Sequence, residues 1–253
     1  MHHFYLPPDQ TKGEILFLTG REAHHALHVL RLRRNERVSV LNGAGGEFLC
    51  EIREHDRDKV SLGVLQKRVA PARAFQITLL QALPKGKAFE LIIQKATELG
   101  VSRIIPLLAD RSVAQLDSEA ADNKVHKWES IAIEAVKQCG SPWLPRIETP
   151  VSPREFCAGG ERVDLPLAAS LQAGSKHPRL YFREYETEHQ RPPATLCVWI
   201  GPEGDFTPEE YSLINQSGAR PITLGGLVLR VETAAIYCLS ILNYEMQTAA
   251  GFR

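Results

Sequence analysis

The chain has 253 residues, 43% hydrophobic and 24% charged, enough for one large domain or two modest ones with their own cores. Thirty basic residues balance thirty acidic ones, so no global charge draws the chain to nucleic acid or membrane, and such binding falls to local patches. No apolar run approaches the roughly 20 residues of a membrane helix, and the first residues lack the basic-then-apolar pattern of a secretion signal.

The first 70 or so residues read as a small β-rich module. Short strands are predicted at Glu14–Leu18, Arg37–Leu41, Glu47–Ile52 and Lys59–Leu65, with one short helix around Arg21–Leu30. The stretch Asn42-Gly-Ala-Gly-Gly reads as a hairpin turn. Val69-Ala-Pro-Ala-Arg reads as a linker, placing domains at residues 1–72 and 73–253.

Strands and helices then alternate. Gln76–Gln81 is a predicted strand. The stripe Phe89, Ile92, Ile93, Ala96, Leu99 predicts a helix stopped at Gly100. A strand over Val101–Leu108 and a helix over Asn123–Cys139 follow. Strands are predicted at Leu165–Leu171, Leu196–Ile200 and Pro221–Leu224, and helices at Pro208–Ser217 and Glu232–Met246. The polar stretch from Gly174 to Pro193 reads as a surface excursion. This alternation implies an α/β fold with a parallel sheet covered by helices.

The five cysteines (Cys50, Cys139, Cys157, Cys197 and Cys238) are far apart and form no C-x-x-C pair. They read as buried free thiols in a reducing cytoplasm.

Three strand ends carry unusual residues. They are Ser170-Leu171-Gln172, Gly201-Pro202-Glu203-Gly204, and Leu224-Gly225-Gly-Leu-Val-Leu229-Arg230-Val-Glu232-Thr233. Ligands of open α/β sheets bind at such ends, and glycine lets a backbone approach a ligand closely. Taken alone, a Gly-Pro loop after a strand, such as Gly201–Gly204, is more often an ordinary turn. Glu232 with Arg230 also reads as a first-turn acid and its surface partner. The known nucleotide signatures are absent. Gly43-Ala-Gly45-Gly46-Glu-Phe48 has Phe48 at the third glycine's place and lies between two strands.

These residues carry a resemblance. The second half resembles the SPOUT methyltransferases, and nearly the whole chain is similar to the ribosomal RNA small-subunit methyltransferase E family. The matching stretches begin with His24-His25, Val29–Leu32, Gly86-Lys87 and Gln94–Val101. They continue through Arg103–Pro106, Asp110–Val113, Trp128, Glu134-Ala135 and Gln138, and end with Ile200–Gly204, Leu224-Gly225 and Leu229–Ala234. Departures stand at Asp205, where the family has a second glycine, and at Leu227, where it has arginine. Val231 replaces a threonine, Asp110 a common glutamate, and an arginine usual near Ser141 or Pro142 is missing.

The resemblance implies a SPOUT α/β fold ending in a deep trefoil knot, with an N-terminal PUA-like β-barrel that binds RNA. It implies S-adenosylmethionine as cofactor, held by Leu171, Gly201, Pro202, Glu203, Gly204, Leu224, Gly225, Leu229 and Thr233. It implies methylation of N3 of a uridine in 16S rRNA of the assembled small ribosomal subunit, by a cytoplasmic homodimer. Removing the imide proton of uridine leaves charge on O2 and O4, which Arg230 would stabilise. Glu232 would take the proton or orient Arg230.

Residues 21–37 hold five arginines (Arg21, Arg31, Arg33, Arg34 and Arg37) against Glu22 and Glu36. A solvated face accounts for such a run by itself. With the resemblance, His24, His25, Arg31, Arg33, Arg34, Lys87, Arg111 and Gln138 become the expected RNA contacts. No carboxylate or cysteine pattern joins His24, His25 and His28, so no metal is expected. A SPOUT enzyme acting on tRNA, a non-catalytic ribosome-assembly factor, and a small-molecule nucleotide enzyme are the alternatives.

Overall fold

The computed structural model describes residues 1–56, 58–112 and 118–249, so Val113 of the resembling stretch lies outside the described residues. The chain forms two compact units. The first contains residues 1–72 and also 133–144; the second contains 73–132 and 145–253.

In the first unit, β1 (His3–Tyr5), β2 (Ile15–Thr19), β3 (Arg37–Leu41), β4 (Gly46–His55) and β5 (Lys59–Val69) form one sheet in the order β1-β3-β4-β5-β2. β1 is parallel to β3 and the other pairs are antiparallel. One face is buried, so apolar residues alternate: Leu16 and Leu18 point inward while Ile15 and Phe17 are exposed. Phe4, Val38, Val40, Phe48, Ile52, Val60 and Leu62 complete this core. β1 escaped sequence reading because it is three residues long and buries only Phe4.

The glycine-rich stretch after β3 is a hairpin turn. Asn42 donates its N–H to Gly46 O at 3.1 Å, and its Oδ1 accepts the Ala44 and Gly46 N–H groups at 2.9 and 2.7 Å. Gly43 and Gly45 take φ of 72° and 89°, values that favour glycine.

The helix expected at 21–30 is two pieces: α1 (Gly20–His24) and a π-helical turn over His25–Val29. Leu30 N–H reaches back five residues to His25 O at 2.9 Å. The wider turn keeps Ala23 and Ala26 buried and leaves His24 and His28 outside, their rings 4.9 Å apart.

The second unit is an α/β layer. Its strands are β6 (Gln76–Ala82), β7 (Arg103–Leu107), β8 (Arg146–Ile147), β9 (Leu165–Ala169), β10 (Thr195–Ile200) and β11 (Arg220–Ile222). They run in the order β11-β9-β10-β6-β7-β8, every neighbouring pair parallel. A sheet covered on both faces needs continuous apolar strands, and Leu196 to Ile200 are all buried.

The helices are α2 (Ala88–Glu98), α3 (Ser118–Cys139), α4 (Pro153–Ala158), α5 (Pro178–His189), α6 (Pro208–Gln216) and α7 (Val231–Ala249). α3 contributes its last residues, from Ile133 onward, to the first unit.

Three expectations need correction. The polar excursion at 174–193 contains α5, which buries Pro178, Tyr181, Phe182 and Tyr185. Those residues fall at i, i+3, i+4 and i+7, a helical stripe hidden in a polar composition. The strand predicted to Leu171 ends at Ala169, and Leu171 is 64% exposed. Cys139, on the last turn of α3, is exposed and Cys157 half-buried, where all five cysteines were expected to be buried. All five thiols are free, and burial pushes Cys50, Cys197 and Cys238 up to about 12.

Candidate active site

A cavity of about 840 Å³ opens at the carboxyl ends of β9, β10 and β11 in the second unit. Leu171 lines it from the loop after β9. Gly201, Pro202 and Glu203 line it after β10, and Leu224, Gly225 and Leu229 after β11. Arg230 and Glu232 line it where that last loop enters α7. Among the described residues neither Arg230 nor Glu232 enters an ion pair, so they are not the surface pair that the sequence also allowed.

The loop after β10 is held from four sides. Glu203 Oε1 accepts the Lys85 N–H at 2.9 Å, joining this loop to the one after β6. Arg111, after β7, donates Nη1 to Gly204 O at 2.7 Å. Glu210 is 5% exposed and uses both oxygens. Oε1 accepts the Asp110 N–H at 2.8 Å, and Oε2 accepts the Thr207 N–H at 2.8 Å, closing a capping box at the start of α6.

Asp205 supplies the fourth hold. It takes φ of 60°, the region a glycine would occupy without strain, and one that aspartate tolerates better than most residues. Its Oδ1 accepts the Phe206 N–H at 2.9 Å and the Tyr211 hydroxyl at 2.7 Å. Burial, reinforced by that acceptor, raises the Tyr211 phenol well above its ordinary value, so it stays a donor. At Gly201 a Cβ would lie 2.9 Å from Asp205 Oδ1 and 3.4 Å from Phe206.

Several expected site residues lie elsewhere. Gly204 does not line the cavity; its carbonyl serves Arg111. Thr233 is exposed on the first turn of α7 and also lies outside the lining. Lys87 is exposed at the N-cap of α2. Gln138 is exposed on the last turn of α3 and belongs to the first unit. His24, Arg31, Arg33 and Arg34 are exposed in the first unit, while His25 is half-buried, its ring 6.0 Å from that of Phe4.

Sequence reading missed Glu210, Asp205 and Tyr211 as builders of the site. The capping box was legible in Thr207-Pro-Glu-Glu210, but its reach to Asp110, 100 positions away, was not. Among the described residues no cluster of three His, Cys, Asp or Glu stands ready for a metal.

Comparison with known proteins bears on this geometry. The RNA methyltransferase domain family matches residues 71–243, and the RNA methyltransferase PUA domain family matches residues 18–65. The ribosomal RNA small subunit methyltransferase E of Bacillus subtilis is 31% identical over 238 residues, covering 92% of this chain and 91% of that protein. The Aquifex aeolicus protein of that name is 29% identical, covering 96% and 99%.

Among solved structures, a methyltransferase of Legionella pneumophila in complex with S-adenosylmethionine superposes with a TM-score of 0.86 at 33% identity, covering 96% of this chain and 97% of that one. The small subunit methyltransferase E of Neisseria gonorrhoeae, also bound to S-adenosylmethionine, gives 0.82 at 26% identity, covering 98% and 97%. With both family models matched in order and relatives aligned nearly end to end, the chain belongs to the ribosomal RNA small subunit methyltransferase E family of RNA methyltransferases.

Proposed function

We propose that the protein methylates N3 of a uridine in 16S rRNA, within the assembled small ribosomal subunit, using S-adenosylmethionine. The observation that carries this reading is the cavity at the strand ends. It gathers Arg230 and Glu232 with seven of the nine residues expected to hold the cofactor.

The lining fits that cofactor. Leu171, Leu224 and Leu229 offer apolar walls to an adenine. Gly226 has an ordinary φ and open space where a Cβ would stand, so the chain's own packing does not demand glycine there. The bare backbone leaves room for a ligand. Glu203, Asp205 and Glu232 supply negative charge toward a cationic ligand, and Lys85 and Arg230 supply positive charge toward a carboxylate or an anionic base.

When bound, S-adenosylmethionine supplies an electrophilic methyl on a cationic sulfur. Glu232 accepts the imide proton from uridine N3, as the carboxylate nearest Arg230 in sequence. Arg230 stabilises the charge left on the uridine carbonyl oxygens; a preorganised group of this kind contributes roughly 10²–10³ in rate. The walls of the cavity hold the base in line, so much of the barrier is removed by orientation. Asp205, a departure from the family glycine, keeps the backbone of the loop in the left-handed region. That substitution therefore keeps the loop's backbone in the conformation a glycine would allow.

In this reading the first unit is a PUA-like barrel that binds RNA through His24, His25, Arg31, Arg33 and Arg34, with Lys87 and Arg111 from the second unit and Gln138 from the end of α3. Along the chain the domains are residues 1–72 and 73–253, with residues 133–144 of the second belonging to the first compact unit. The insertion of β10 between β9 and β6, followed by the return of β11 to β9, accords with a trefoil knot. The exposed Leu227, Val228, Tyr237 and Tyr244 suit a homodimer interface. No described helix is long and apolar enough to cross a membrane, and a ribosomal substrate places the enzyme in the cytoplasm.

The test is incubation with labelled S-adenosylmethionine and small subunits that lack uridine N3 methylation, followed by mapping of the label. A single labelled 16S uridine, methylated at N3, is expected. Label on tRNA alone, or no label together with no cofactor binding, overturns the reading.

A further inference from the structure

The first unit carries a second cavity, about 450 Å³, that methyl transfer does not use. It is lined from the edge strand β2, from β4 and β5 with the turn between them, and from Arg34 before β3. Alternation along β2 turns Phe17 outward between the buried Leu16 and Leu18, leaving its ring 43% exposed. An apolar ring on an edge strand invites unwanted pairing, and here a lysine covers it. Phe17 pairs with Ser61 and Thr19 with Lys59, so Lys59 stands diagonally across from the ring. Its ammonium lies 3.9 Å from the ring centroid.

Beside the ring, β4 has one residue too many. Ile52 pairs with Leu62, yet Glu54 pairs with Ser61, the next residue on β5. The extra residue is Arg53, and a bulge of this kind re-aims a side chain. Gly63 leaves the place that Arg53 occupies: a Cβ there would lie 2.5 Å from Arg53 Nε and 3.3 Å from Cζ. The guanidinium therefore rests over bare backbone. Arg34, exposed, lines the same groove. A flat aromatic face, two guanidinium groups and a displaceable ammonium are thus brought together by strand alternation, a bulge and one glycine.

We infer that this groove holds one unpaired nucleotide of an RNA, its base stacked on Phe17 and its phosphate held by Arg34 and Arg53. The RNA as partner rests on the function proposed above. Stacking on an aromatic side chain suits any base, because every base has a π-face. A duplex hides those faces, so the groove selects single strands, loops or bulges. Lys59 leaves the ring as the base arrives and adds its charge to the phosphate contacts. Glu54 and Asp56, also lining the groove, accept hydrogen bonds from a base edge and repel a stray phosphate.

The experiment uses the whole chain and fluorescein-labelled octauridylate, octaadenylate and an RNA duplex of equal length, read by anisotropy at fixed salt. The wild-type protein is expected to prefer both single strands to the duplex. Phe17→Ala is expected to weaken single-strand binding about tenfold, Phe17→Tyr to restore it, and Phe17→Leu to fail to restore it. Arg53→Ala is expected to reduce the salt dependence. Circular dichroism and a melting curve for each variant confirm that the first unit is folded.

Equal binding of single strand and duplex by the wild type overturns the inference. So does wild-type binding by Phe17→Ala or Phe17→Leu, since the ring is then only the apolar side of a lysine-guarded edge. Methyl transfer to small subunits is measured in parallel. Methylation with Phe17-independent binding sinks the groove alone. Phe17-dependent binding with neither methylation nor cofactor binding sinks the proposed function and leaves the groove standing.

Discussion

The two loops that form most of the cavity wall are built in opposite ways. The loop after β10 is tied by Glu203 to Lys85, by Gly204 to Arg111, by Glu210 to Asp110, and by Asp205 to Tyr211. Among the described residues the loop after β11 is tied near its ends: Thr223 donates its N–H to Lys176 O at 3.0 Å, its hydroxyl accepts the Gly225 N–H at 3.2 Å, and Arg230 O accepts the Ala234 N–H as α7 begins. Its tip, Leu227 and Val228, is about four-fifths exposed. The first wall is set before any ligand arrives. The second is held at its ends with an exposed tip, and it carries Arg230. In the proposed function both walls hold the cofactor and the second also carries the chemistry at Arg230, so substitutions at Gly201 and at Arg230 should separate affinity from rate.

The largest separation is expected at Arg230→Ala, which should lower methyl transfer by roughly 10²–10³ while changing cofactor affinity by no more than about twofold. Single-turnover rates with calorimetry check this. A rate close to wild type would remove Arg230 from the chemistry.

On the tied wall, Gly201→Val places carbon against Asp205 Oδ1 and Phe206, where a Cβ alone comes within 2.9 and 3.4 Å. Cofactor affinity should fall about tenfold or more, on the scale of overpacking costs. Unchanged affinity would show that the loop yields without disturbing the site.

Glu210→Ala should act on stability first. It removes a capping box and the acceptor for Asp110, together about 2 kcal/mol, or a Tm lower by roughly 4–8 °C. An unaltered melting curve would mean that packing of Phe206 and Tyr211 holds the wall unaided.

The smallest effect on the site is expected at its opposite end. Asp164 joins the amino ends of β9 and β10. Arg191, with the N–H groups of Ala194 and Thr195, holds its carboxyl well below the ordinary carboxylate range. A lowered folded pKa contributes stability above the unfolded value near ~4 and loses it as pH falls through the folded value. Asp164→Asn should therefore flatten the acid limb of stability below about pH 4, lower stability at neutral pH, and leave cofactor affinity within about twofold. Melting curves from pH 2 to 7 provide the check.

Much of the second unit was legible because a parallel sheet imposes plain rules. Continuous apolar runs marked β6 and β10, and the stripe from Phe89 to Leu99 marked α2. α5 was missed because charged residues outnumber its buried face, although Tyr181, Phe182 and Tyr185 keep the helical period. β1 and β8 were missed because three and two residues carry no period at all. In the candidate site, the three glycine-bearing strand ends were legible, whereas the partners that hold them were not.

By itself the sequence determined the alternation of elements, the loops at strand ends, and the residue types that resemble an RNA methyltransferase. Those are local properties of pattern and composition. Only the tertiary structure decided that Glu203 meets Lys85 across 118 positions, that Glu210 meets Asp110 across 100, and that Gly201 lies against Asp205 and Phe206. It also placed Arg53 over Gly63 beside Phe17. The reason is physical: a hydrogen bond or a steric clearance depends on positions to within an ångström. Strand pairing between distant segments sets those positions, and no periodicity along the chain encodes which segments will meet.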